Sequence, residues 1–138
     1  MGAVPLLIHA LQGDDEDVRR NAARALGDIG EGAVEETVPA LIQALQDVDG
    51  VRYDAATALS DIGEGAVPAL IQVLQSDDDR DDSIGAALAL GQIGEGAVEA
   101  VPALIQALKG DDDWVRRNAA EALEKIRTPE AVVDELPF

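Results

Sequence analysis

The sequence predicts an all-α protein in which about four similar helix pairs stack into a single array. Two recurring segments support this prediction. The segment at 3–11 returns at 37–45, 66–74 and 100–108, and the segment at 21–30 returns at 54–63, 85–94 and 118–127. The Val-Pro pairs of the first segment are separated by about 34, 29 and 34 residues. Such a period is typical of arrays whose units bury their apolar faces only against their neighbours.

The first helix of each pair is indicated by apolar residues at helical spacing. In the first unit, Val4, Leu7, Ile8 and Leu11 follow the i, i+3, i+4, i+7 pattern of an amphipathic helix. Pro5 suits the first turn of this helix, where its missing N–H has no partner within the helix. The later Val-Pro segments have the same spacing and predict the same element.

The second helix of each pair follows an acidic segment. In the first unit this segment runs from Asp14 to Asp17. Aspartate is a good N-cap, and carboxylates in a first turn are favoured by the helix dipole. Gly30 supplies a stop signal at the other end. Small alanines allow close approach between helices, and one side of the predicted helix carries Val18, Ala22, Ala25, Leu26 and Ile29.

The units are expected to form one domain over residues 1–138. The spacing places the repeats at about 1–32, 33–65, 66–96 and 97–127, with 128–138 as a C-terminal cap or a truncated fifth repeat. The linkers differ in length, and the two long ones contain the segments 33–36 and 97–99. We expect each of these segments to add a short helical turn.

The composition excludes several classes of partner and chemistry. The formal net charge is −18, from 28 acidic and 10 basic residues. Nucleic acid and anionic membrane surfaces are therefore disfavoured, because both bind to basic patches. There is no cysteine for a disulfide or a thiolate site. No apolar run approaches the roughly 20 residues that span a bilayer. We expect a soluble, cytoplasmic protein.

Residues for catalysis or metal binding are sparse, so we expect neither an enzyme nor a cofactor. His9 is the single histidine and cannot build a multi-histidine metal site or an evident nucleophilic arrangement. Asp77, Asp79 and Asp81 alternate like the start of a calcium loop. The sixth and twelfth positions of that loop, however, are Asp82 and Leu88, where glycine and glutamate are required.

Two phrases of the sequence resemble HEAT-type repeats over nearly the whole chain. They are Val-Pro-Ala-Leu-Ile-Gln-Ala-Leu at 101–108 and Val-Arg-Arg-Asn-Ala-Ala-Glu-Ala-Leu at 115–123. The subtype is the short one of phycobilisome lyase subunits, which is also used for consensus-designed helical binders. The resemblance implies a right-handed α-solenoid whose second helices line a concave face. The third repeat departs from the motif, because Asp82-Ser83 replaces Val-Arg.

The candidate site lies on the side of the second helices that faces away from the core. When these helices are aligned, the two middle ones are apolar where the outer ones are charged, which is typical of a protein-binding patch. The alternative is a local rotation of the third repeat that buries Ile84 and Leu88. Trp114 is expected either to pack on the repeat edge or to anchor a partner. The candidate site residues are Arg20, Arg24, Tyr53, Thr57, Ile84, Leu88, Arg117 and Glu121.

These features predict a non-catalytic scaffold that binds a protein or peptide on the concave face. The negative charge favours a basic partner, and a groove between helices suits an amphipathic helix. Two alternatives stay open, which are an accessory subunit of a bilin lyase-like enzyme and an engineered repeat protein without a native partner. We expect a monomer or a weak homodimer formed through the terminal repeats.

Overall fold

The computed structural model describes residues 2–76 and 80–126, and within these ranges it contains eight α-helices and no strand. The helices form four consecutive pairs, which confirms the predicted all-α solenoid. The predicted terminal cap at 128–138 lies outside the described residues. The pairs are α1 (Ala3–Ala10) with α2 (Glu16–Ile29), α3 (Val34–Ala44) with α4 (Asp49–Ile62), α5 (Val67–Gln75) with α6 (Arg80–Ile93), and α7 (Val101–Ala107) with α8 (Asp113–Ile126).

The predicted helix start and stop signals are present at α2. The Asp15 carboxylate accepts hydrogen bonds from the N–H groups of Asp17 and Val18 at 2.8 and 3.2 Å. These bonds satisfy two of the donors that a helix N-terminus leaves unpaired. At the other end Gly30 has a φ of 64° and donates its N–H to the carbonyl of Leu26. A residue with a Cβ rarely adopts this conformation, so glycine ends the helix.

Short 3-10 segments connect the pairs, and the two long linkers take different forms. In the first, Val34 to Glu36 lengthen α3 at its N-terminus, so that Pro39 lies inside the helix. In the second, the extra residues remain in the 3-10 segment Gly94–Ala100, which is interrupted by non-helical angles at Ala97. Both linkers contain the additional turn expected from the sequence, although only one turn belongs to an α-helix.

The described core is aliphatic and consists mainly of leucine and alanine. The second helices bury pairs of alanines, including Ala22 with Ala23 and Ala55 with Ala56, at the contacts between repeats. Both described aromatic residues are exposed. The leucines are almost fully buried at Leu26, Leu41, Leu45, Leu59, Leu70, Leu90 and Leu104.

The second helices stack in the order α2, α4, α6, α8, but their spacing is uneven. A Cβ added to Gly27 would lie 2.8 Å from the Cα of Ala58, and one added to Gly91 would lie 3.1 Å from the Cα of Ala122. α2 therefore packs tightly on α4, and α6 on α8. The equivalent residue of α4 is Ser60, whose Oγ lies 3.2 Å from Oε1 of Gln92 in α6. The α4–α6 junction is thus wider, and side chains fill it.

The segment Arg80–Ala107 has the length and apolar composition of a membrane-spanning helix, and 39% of its most apolar window is buried. It is not one continuous α-helix, because it consists of α6, a 3-10 segment and α7. Gly94 has a φ of 74° and Ala97 is non-helical, so the chain changes direction between the two helices. Several of its apolar residues, including Leu90 and Leu104, belong to the aliphatic core.

Candidate protein-binding surface

The eight predicted site residues share one surface, which we call the second-helix surface. Arg20, Tyr53, Ile84 and Arg117 occupy equivalent positions in the four second helices, and the other four residues follow one turn later. On α4, Tyr53 is exposed, whereas Ala55, Leu59 and Ile62 lie on the opposite side of the helix and are buried. The side with Tyr53 therefore faces away from the first helices. The second-helix surface consists of Arg20, Arg24, Tyr53, Thr57, Ile84, Leu88, Arg117 and Glu121.

Arg20 and Arg24 form ion pairs with a buried carboxylate on the neighbouring helix. Their Nε atoms lie 2.8 and 3.4 Å from Oδ2 of Asp54, whose side chain is 7% exposed. The hydrogen bond to Asp54 raises the pKa of Arg20. These arginines therefore connect the first two repeats, and Asp54 partly offsets their charge on the surface. Asp54 was not identified from the sequence, where it stands at the position that Asn21 and Asn118 have in the first and fourth repeats.

The middle of the second-helix surface lies over the wide α4–α6 junction. Tyr53 is 55% exposed, whereas Ile84 is half-buried and Leu88 packs partly against the core. The structure therefore lies between the two alternatives of a free apolar patch and a buried one. Thr57 adds a polar feature, because its Oγ1 is buried and has no hydrogen-bond partner among the described residues.

At the far end of the second-helix surface, Arg117 stacks on Trp114. The guanidinium carbon lies 5.1 Å from the centre of the indole ring, within the range of a cation–π interaction. Trp114 is nonetheless 54% exposed. It therefore contacts Arg117 of its own helix and remains accessible to a partner, so neither of the two expected roles is decided. Glu121 is exposed one turn further along α8.

The arginines of the Val-Arg motif stabilise the opposite edge of the stack, where the two helices of each pair are joined. Arg19 donates to the carbonyls of Gly13 and Asp14 at 3.0 and 3.1 Å, and its Nε lies 2.8 Å from Asp47 of the next repeat. Arg52 acts in the same way. It donates to the carbonyls of Leu45 and Asp47 at 2.9 and 3.0 Å, and it pairs with Asp81 at 3.3 Å.

In the third repeat Ser83 occupies the place of the motif arginine, and a different residue provides the link to the fourth repeat. Arg80 lies 2.7 Å from Asp112. The Asp112 carboxylate also accepts from the N–H groups of Val115 and Trp114. The bonds from Val115 and Trp114, together with the charge of Arg80, hold the pKa of this carboxyl below its ordinary value. Arg80 thus supplies the connection between repeats in the third pair.

The described residues contain no group of three or more metal-ligating side chains that could hold an ion, and His9 is exposed on α1. The second-helix surface is open, with a cavity of only about 10 Å³ beside Leu88 and Gly91. Larger grooves lie between consecutive first helices, with volumes of about 250, 690 and 670 Å³ from the first junction to the third.

Comparison with known proteins places the chain among helical repeats. A model of HEAT repeats matches residues 4–91 and 67–134, whereas no curated protein matches. An engineered protein has a TM-score of 0.56 at 26% identity, covering 96% of this chain and 68% of that one. The complex of CpcE and CpcF of phycocyanin lyase from Nostoc sp. PCC7120 has a TM-score of 0.55 at 32% identity, covering 94% and 55%. A designed armadillo repeat protein in complex with the peptide (KR)4 shares the fold, with a TM-score of 0.51 at 22% identity, covering 91% and 65%.

Proposed function

Because the chain belongs to the HEAT repeat family, we propose that it is a non-catalytic scaffold that binds a protein or peptide on its second-helix surface. One observation carries the proposal. Both described aromatic side chains, Tyr53 and Trp114, are more than half exposed on this side of the second helices, with the half-buried Ile84 between them. Exposed aromatic residues around a partly buried apolar centre are typical of the residues that dominate binding energy in protein interfaces.

The wide α4–α6 junction supports the middle of the surface as the binding position. Ser60 takes the place that glycine has in α2 and α6, so the backbones of α4 and α6 are kept further apart. Thr57 lies in α4 with its Oγ1 buried, whereas Leu88 is partly exposed on the α8 side of α6, beside Gly91 and Ala122.

The charge of the chain favours a partner with basic residues, such as a basic amphipathic helix. The net charge of −18 attracts such a segment and speeds its encounter at low ionic strength. Asp54 offsets one of the two positive charges of Arg20 and Arg24, which reduces their repulsion of a basic partner. The same net charge disfavours nucleic acid and anionic membranes, and we place the scaffold in the cytoplasm.

Affinity capture from source-cell lysate with a matched pair of variants tests this function. The double variant Tyr53→Ser with Trp114→Ser removes the exposed aromatic groups of the second-helix surface. The control, Leu6→Ser with Val98→Ser, removes two exposed apolar side chains outside that surface. Circular dichroism first establishes that both variants are folded. We expect partners captured by the native chain to be lost with the first variant and kept with the second. The reverse pattern would place the binding surface elsewhere.

A second candidate function is that of an accessory subunit of a bilin lyase-like enzyme. It is favoured by the 32% identity with the phycocyanin lyase complex over 94% of this chain, which spans 55% of that chain. Bilin binding by the purified chain would produce a shifted visible absorbance on mixing, whereas the scaffold function predicts no shift. A third candidate is an engineered array without a native partner, which the engineered neighbour permits. In that case the lysate would yield no specific partner.

A further inference from the structure

A groove of about 670 Å³ lies between the third and fourth repeats, on the edge that carries the motif arginines. It is separate from the second-helix surface. Ser83 of α6 contributes to its wall, the end of α5 borders it at Leu74, and Asp111 lies beside α8. The apolar lining comes from Leu74, Pro102, Ala103, Ala107 and Val115. The sequence indicated this place only through the departure of Asp82-Ser83 from the Val-Arg motif.

The other repeats show which hydrogen bonds a side chain makes from the position of Ser83. Arg19, Arg52 and Arg116 are equivalent to Ser83, and each donates to carbonyl oxygens of the turn before its helix. Leu45 and Asp47 supply the acceptors for Arg52. In the third repeat the equivalent residues are Leu74 and Ser76, which line the groove. The fold therefore repeats a guanidinium-binding arrangement in which the third unit has serine at the arginine position, while Arg80 one turn earlier makes the link to the fourth repeat.

Ser83 itself points to a ligand at this position. The residue is only 8% exposed and forms part of the groove wall, at the position that arginine occupies in the other repeats. A serine hydroxyl there can accept a hydrogen bond from a donor that enters the groove. The groove is also net negative, because Arg80 contributes one positive charge while Asp111 and Asp112 contribute two negative ones. Arg80 already pairs with Asp112, so Asp111 remains to receive a cation.

We propose that this groove binds an arginine side chain of a partner protein, in the place that the chain's own motif arginines occupy in the other repeats. The guanidinium donates to the Ser83 hydroxyl, to the Leu74 carbonyl at the end of α5 and to the Asp111 carboxylate. Its methylenes pack on Ala103, Ala107 and Val115. Arginine fits better than lysine, because a planar fork with five donors matches several acceptors at once.

NMR titration of the full chain with three blocked peptides tests the proposal. The probes are acetyl-Gly-Arg-Gly-amide, the same peptide with citrulline, which is nearly isosteric but uncharged, and the same peptide with lysine. We expect shifts of amide signals around Ser83, Ala107 and Asp111, and a dissociation constant about tenfold or more lower for arginine than for citrulline. Equal binding of the arginine and citrulline peptides would overturn the proposal.

Two variants locate the binding. Ser83→Arg supplies the missing guanidinium from within the chain, so it is expected to fold and to abolish binding of the arginine peptide. Asp111→Asn is expected to weaken binding about tenfold. Its control, Asp14→Asn, removes the same charge at the equivalent place in the first repeat, outside this groove, and should leave affinity unchanged. Undiminished binding by folded Ser83→Arg contradicts the proposal. If that variant does not fold, equal affinities of the two asparagine variants contradict it.

Discussion

The close approach of α2 to α4 predicts that Gly27→Ala destabilises the array although alanine favours helices. The added Cβ would lie 2.8 Å from Cα and 2.9 Å from Cβ of Ala58, and 3.1 Å from Oδ2 of Asp61. Carbon atoms in ordinary contact are about 3.5–4.0 Å apart, so the helices must separate by roughly 0.7 Å or more. Overpacking of this kind costs about 1–3 kcal/mol. Because alanine regains up to about 1 kcal/mol of helix propensity, we expect a net loss of up to about 2 kcal/mol.

Urea denaturation followed by circular dichroism measures this loss as a lower midpoint with an unchanged slope. The control is Gly13→Ala, because an added Cβ there would lie 3.5 Å from its nearest neighbour, the carbonyl oxygen of Ala10. That variant is expected to stay within about 0.5 kcal/mol of the native chain. Stabilisation by Gly27→Ala would refute the argument, since it would mean that the α2–α4 contact is looser than the structure shows.

Three further predictions concern polar groups. Arg52→Ala should lower the free energy of unfolding by about 2–3 kcal/mol, because the hydrogen bonds to the Leu45 and Asp47 carbonyls are lost; an unchanged urea midpoint would contradict this. Thr57→Val should be neutral or stabilising in the same assay, since it removes a buried hydroxyl that no described residue satisfies; a loss above about 1 kcal/mol would reveal a missed hydrogen bond. The pKa of Asp112 is lowered in the folded state, so its carboxylate stabilises the fold above the unfolded pKa of 3.8, and this stabilisation is lost as the pH falls through the folded pKa. In urea titrations, the difference in unfolding free energy between the native chain and Asp112→Asn should therefore shrink as the pH falls below 3.8. A difference that stays constant would contradict the lowered pKa.

The helices and their ends were predictable because local chemistry determines them. An aspartate cap from the acidic segment and the Gly30 stop act within one turn, and each has the predicted role in the structure. The apolar spacing predicted α2 itself, although Val18 and Ile29 of its apolar side are exposed. The role of the motif arginines was not predicted, because their partners lie in the turn and in the next repeat. Asp54 was missed for a similar reason. It is an ordinary helix residue until the stack places Arg20 beside it.

The exposure of the candidate site depends on packing between repeats, which the sequence alone did not determine. The sequence left open whether Ile84 and Leu88 are exposed or buried, because a small rotation or displacement of α6 moves them between surface and core. The structure leaves both partly covered. The degree of exposure depends on how closely successive second helices approach. This approach is determined by the sizes of the residues at equivalent positions, Gly27, Ser60 and Gly91. A comparison of these equivalent positions in the sequence would have indicated the wide middle junction.

Site-specific photo-crosslinking tests the central claim, that the second-helix surface binds the partner, most directly. A benzophenone amino acid replaces Tyr53 in one chain and Leu6 of α1 in another, and both native side chains are exposed. After mixing with a partner isolated by affinity capture, irradiation should produce a covalent adduct through position 53 and little or none through position 6. An adduct through position 6 alone would show that the partner binds the first helices, and would contradict the account.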